Sequence, residues 1–279
     1  MLVTIEIADI QYQVNTDFAL NCSINLAFNQ AQPNHFGSNR ATSVPMQADG
    51  FIGDTEQGGS CNVNELRINP HCNGTHTETI RHICDKSSEL ALSVADISIS
   101  PLMPCVLVSI TPSQASDCKE DYSPSLQSKD KVITRSALAK QLDNYSNAQL
   151  QVAAIRTLPN TPDKLSAEYN QSNQPPFFTR EAILYLNERG VEHLVVDIPS
   201  IDRLHDDGLL TCHHLFWQVI EGAHQATTNS LINKTITELA YFDQQIDDGF
   251  YFMNLQLPAF VNDAAPSRPV LYSAHAINK

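Results

Sequence analysis

Thr179-Arg180-Glu181-Ala182-Ile183-Leu184-Tyr185-Leu186, closed by Gly190 and followed by Val191-Glu192-His193-Leu194-Val195-Val196-Asp197, decides how this chain folds. The Thr179 hydroxyl can accept one of the unpaired N–H groups of a first helical turn, and Gly190 suits the left-handed position just past a helix end. The β-branched run after Gly190 predicts a strand, and Leu150-Gln151-Val152-Ala153-Ala154-Ile155 predicts one before the helix. Strand, helix and strand in that order predict a β-α-β unit.

Working outward, Cys105-Val106-Leu107-Val108-Ser109-Ile110 is a compact β-rich run suited to a buried strand, and residues 133–142 carry a second helical signal. Strands are expected near 235–241 and 249–257, separated by a turn at 244–249. Residues 2–14 alternate apolar and polar side chains, the period of a half-buried strand, so the fold is expected to open with strands. Residues 28–62 are rich in Asn, Gln, Gly and Pro and predict a long surface excursion; 111–130 are polar and turn-rich. With no internal repeat and no break in composition, the expectation is one α/β domain over residues 1–279 with substantial β content.

The chain has 279 residues, 42% of them apolar, enough for a large core. A net charge of −14 and the lack of a Lys/Arg cluster argue against nucleic acid and anionic membranes as partners. The seven cysteines are scattered without a CxxC pair, which fits reduced thiols in a cytoplasmic protein rather than a disulfide framework. The N-terminus carries acids within its first ten residues and lacks the pattern of a signal peptide, and no 18-residue apolar run is present.

The chemistry concentrates in His71-Cys72-Asn73-Gly74-Thr75-His76-Thr77-Glu78, with His82 just beyond. Imidazole nitrogen with carboxylate oxygen is the mix that holds a catalytic zinc or manganese and leaves a position open for water. In an extended segment His76 and Glu78 leave the same face and can reach one ion, and His82 has the same parity. A helix is the poorer reading here, because Asn-Pro before His71 and Asn73-Gly74 after it both punctuate helices. His35, His193, His205, His224 and His275 read as structural, and turn-capping accounts for Asp197 and Asp202.

Gly74-Thr75-His76-x-Glu78-x-x-x-His82 resembles the signature of the cyclase-like metal-dependent hydrolases, the kynurenine formamidase-like family, whose pattern is His-x-Gly-Thr-His-x-Asp-x-Pro-x-His. Glu78 stands in place of Asp, Ile80 in place of Pro, and an extra residue sets Cys72 where the first His is expected. Either His71 or Cys72 then fills that position, or one metal position is lost, and His71 is preferred. Residues 190–202 are similar to the family's strand and Asp-x-x-Ser-x-Asp loop. Residues 209–217 are similar to its downstream His segment, with His213 preferred over His214. Glu238 matches its last carboxylate ligand, and 255–258 with 267–270 resemble its C-terminal region.

The resemblance implies a swivelling β/β/α fold and a homodimer. One or two divalent ions, zinc or manganese, would sit among His71, His76, Glu78, His213 and Glu238, with His82 as catalytic acid or base. The implied reaction is hydrolysis of a small-molecule amide, ester or lactone by metal-activated water. The alternative is a catalytically degenerate small-molecule-binding protein on the same scaffold.

Overall fold

The computed structural model describes residues 1–277; the last two positions of the expected 1–279 domain lie outside it. Eleven strands form the main sheet among the described residues, ten of them along one path: β1 (Leu2–Ile7), β2 (Ile10–Asn15), β3 (His76–Thr79), β4 (Met103–Ile110), β5 (Val152–Thr157), β6 (His193–Val196), β7 (Thr235–Glu238), β8 (Gly249–Gln256), β9 (Ala264–Pro266) and β10 (Arg268–Ile277). Their spatial order is β1-β2-β10-β8-β4-β5-β6-β7-β3-β9, and the two-residue strand Leu20–Asn21 pairs with β10. The centre, β4-β5-β6-β7, is parallel, and antiparallel strands extend it on both sides. The mixed α/β fold with large β content is as the sequence predicts.

The two-residue period of the central strands sorts their side chains between two cores. Val106, Val108 and Ile110 on β4, with Ala153 and Ile155 on β5, meet Leu138, Leu142, Ile183, Leu186 and Phe216 on the helical face. Met103, Cys105 and Leu107, with Val152 and Ala154, face the opposite way, toward Ala240, Phe242, Met253 and Leu271.

The helical face carries α2 (Arg135–Leu142), α3 (Arg180–Glu188) and α4 (Thr211–Trp217); α1 (Pro70–Asn73) is a single turn beside β9. Thr179 caps α3 by accepting from Ala182 N at 3.2 Å, and Gly190 follows the helix at φ +74°. The capping Thr179 hydroxyl also donates to Glu120, whose carboxylate accepts from Arg135 N at 2.7 Å, so one acid serves the starts of two helices.

The chain opens with strands as expected, paired as the hairpin β1-β2 and turned at Ala8 and Asp9, both at positive φ. Two expectations need correction. The 28–62 excursion is not wholly superficial: it carries short strands and buries Gln32, His35 and Ala41. His71 lies on the helical turn α1, where Pro70 takes the first position that needs no N–H, and His82 lies on the 3₁₀ turn Ile80–His82 rather than on the strand.

Candidate metal centre

The cluster assembles where β3 enters the sheet beside β7. Antiparallel register sets His76 opposite Glu238 and Glu78 opposite Ile236, so alternation brings His76 and Glu78 out on one face. Thr75 anchors the approach, its hydroxyl donating to Leu239 O and accepting from Ile24 N at 2.8 Å. His76 Nδ1 lies 3.0 Å from Gly74 O, which can only accept, so that nitrogen carries the proton and Nε2 offers its lone pair to the cluster.

His213 arrives on α4. Its Nδ1 lies 2.5 Å from Asp202 Oδ2, and Asp202 is itself held by Tyr122 Oη at 2.7 Å and Cys212 N at 2.8 Å. This leaves Nε2 facing Glu78 Oε1 at 2.9 Å. The ring N–H direction misses that oxygen, so the contact is a charge pairing and not an aligned hydrogen bond. His71 sits between two carboxylates, Nδ1 at 3.2 Å from Glu78 Oε2 and Nε2 at 2.9 Å from Asp263 Oδ2. His82 lies on the same carboxylates, Nδ1 at 3.3 Å from Asp263 and Nε2 at 3.8 Å from Glu78. Glu238 stands at the edge: Oε1 accepts from Ile201 N at 2.8 Å, and Oε2 lies 3.5 Å from His76 Nε2.

All six residues singled out from sequence therefore meet in space. Cys72 does not join them; burial raises its thiol above the ordinary value, and it is absent from every group able to share an ion among the described residues. His214 points away, its ring 6.4 Å from His224. The sequence reading missed Asp263, which lies in a loop before β9 with no motif around it, and passed over Asp202 as a turn residue. His35, read as structural, is buried with both ring nitrogens unpartnered; burial pushes its imidazole down to about 4, with the nearby His76, His205 and His71 adding to the effect.

His76 Nε2, His213 Nε2 and both oxygens of Glu78 are buried without a hydrogen-bond partner. Four such orphans converging in one place are costly unless a further group satisfies them, and imidazole with carboxylate is a divalent-cation donor set. Ligand atoms of His71, His76 and Glu78 lie within 4.8 Å of one another, as do those of Glu78, His82 and His213 and those of His71, His82 and Asp263. The residues fit a metal.

Charge balance agrees. Burial would lower His71, but its hydrogen bond to Asp263 and the facing charge of Glu78 push it up to about 10. Burial likewise opposes charge on His213, yet Glu78 and Asp202 hold it well above the ordinary histidine value. Burial would raise Glu78 and Asp263; instead the facing imidazoles hold both well below the usual carboxylate range. The carboxylates demand positive charge, which protons supply here and which a divalent cation can supply in their place.

Fold and cluster together define a class, a mixed α/β protein whose central sheet gathers four imidazoles and several carboxylates at one buried point. Residues 9–203, more than half of the chain, match the family model described as "Putative cyclase". The chain belongs to the cyclase family. A kynurenine formamidase from Bacillus cytotoxicus is 24% identical over 217 residues, 77% of this chain and 82% of that protein. Among solved structures, isatin hydrolase A from Labrenzia aggregata superposes at a TM-score of 0.59 with 15% identity, covering 91% of this chain and 93% of the other. A protein described as a predicted metal-dependent hydrolase from Bacillus stearothermophilus gives 0.54 with 14% identity, over 91% and 98%. At these identities the superpositions speak for the fold. His213, Glu238 and Asp263 lie beyond the matched residues, and their place in the cluster rests on the geometry.

Proposed function

We propose that this chain is a metal-dependent hydrolase of a small-molecule amide, with esters and lactones as related substrates. The convergence of four unpartnered buried donor atoms carries the reading, and the kynurenine formamidase and isatin hydrolase relatives support it. His71, His76, Glu78, His213 and Glu238 would hold one or two zinc or manganese ions. A bound ion would polarise the scissile carbonyl and lower the pKa of water.

The chain's own groups supply the rest. Asp202 keeps the proton of His213 on Nδ1, so Nε2 remains a ligand atom. His82, oriented by Asp263 at Nδ1, presents Nε2 to take a proton from the attacking water and return it to the leaving amine. The whole chain acts as one domain, forms a homodimer and works in the cytoplasm. No helix among the described residues is long and apolar enough to cross a membrane.

Turnover of formanilide, phenyl acetate and a simple lactone by metal-loaded and chelator-treated protein tests this. His82→Gln should lower kcat by about 10²- to 10⁴-fold while metal content stays unchanged. Turnover indifferent to chelation would refute the proposal.

A further inference from the structure

A cavity of about 480 Å³ opens directly beside the cluster, with His71 and Asp263 in its wall. Arg40 and Arg67, together with Asn39 and Asn69, also line it. Only Ile68 and Pro70 contribute apolar side chains to it, and no aromatic ring does.

The two arginines are brought together by the fold. The strand Thr42–Pro45 pairs antiparallel with Asn64–Arg67, and Thr42 is opposite Arg67, which sets Arg40 two residues from that partner. The loop bearing Arg40 is tied down: Asn73 Nδ2 donates to Asn39 O at 3.0 Å, and Asn34 Nδ2 donates to Ser38 O at 2.6 Å. Arg40 has only a long, exposed ion pair, 3.7 Å from Glu168, and Arg67 has no carboxylate within ion-pair distance among the described residues. The one acid in the cavity wall, Asp263, is already held by His71 and His82.

In a chain with 17 basic and 31 acidic residues, two arginines lining one cavity are an uneven use of positive charge. A planar guanidinium matches a carboxylate through two parallel N–H donors. We propose that this cavity receives the anionic end of the substrate, so that the preferred substrates are amides that also carry a carboxylate. The inference rests on the hydrolase reading above.

The test uses a matched pair, N-formyl-4-aminobenzoate and the corresponding neutral carboxamide, with the metal-loaded protein. The acid should be turned over with a kcat/KM on the order of tenfold or more above the amide. Replacing both arginines (Arg40→Ala with Arg67→Ala) should erase that ratio, bringing the kcat/KM of the acid down to that of the neutral compound in the same variant, and raising the salt concentration should shrink it. Calorimetric titration with 4-aminobenzoate against 4-aminobenzamide reads the same preference without chemistry. Equal turnover and equal binding of acid and amide would overturn the inference and leave the hydrolase reading intact. Tighter, arginine-dependent binding of the acid with turnover of neither compound would support the anion site and remove the hydrolase reading.

Discussion

Asp263 links the two histidines with different tasks: one oxygen, Oδ2, lies 2.9 Å from His71 Nε2 and 3.3 Å from His82 Nδ1. A carboxylate behind an imidazole fixes its tautomer and orientation, and losing one typically costs 10- to 100-fold in metal affinity or activity. Asp263→Asn should show a loss of about that size. It should also change the pH dependence of stability in the metal-free protein. His71 is raised to about 10, above its unfolded value near 6.5, so its contribution is complete below about pH 6.5 and is lost as the pH rises toward 10. Glu78 and Asp263 are depressed, so theirs is present above roughly pH 4 and is lost as the pH falls through their lowered values. Urea denaturation of the metal-free protein across pH should show a decline on both sides, with a shallower alkaline limb in Asp263→Asn; superimposable profiles would contradict the assignment. At this scale His71, His76, Glu78 and His82 were legible because they lie close together in the chain. His213 and Glu238 came only through the family resemblance, and Asp263, 181 residues from His82, had nothing in its neighbourhood to mark it.

Among the elements, the β-α-β unit was read closely because its signals are local. Thr179 and Gly190 do at the ends of α3 what their chemistry suits them for, and β5 and β6 pair in parallel around it. Thr179→Ala removes the cap and the hydroxyl's bond to Glu120, and should cost about 1 kcal/mol, read as a shift in the denaturation midpoint without a change in slope. An unchanged midpoint would show that Glu120 and tertiary packing alone hold the helix start. The opening hairpin left a local mark too: the turn at Ala8 and Asp9 shifts the alternation by one residue, from Val3, Ile5 and Ile7 to Ile10, Tyr12 and Val14. The single helical turn at Pro70–Asn73 left none, because four residues are fewer than the window in which helical periodicity can be read.

For the molecule as a whole, the cluster ties the early segment 71–82 to α4, β7 and the loop before β9. A cation held there would join these distant parts and stabilise the fold by mass action. The family match, the mixed sheet and the buried donor set agree with one another, and metal occupancy is the claim on which the functional account turns. Elemental analysis of protein purified without an affinity tag, beside His76→Ala, tests it most directly. The account predicts about one to two equivalents of zinc or manganese in the wild type and their loss in the variant. Folded wild-type protein that takes up no stoichiometric metal even after reconstitution would contradict it.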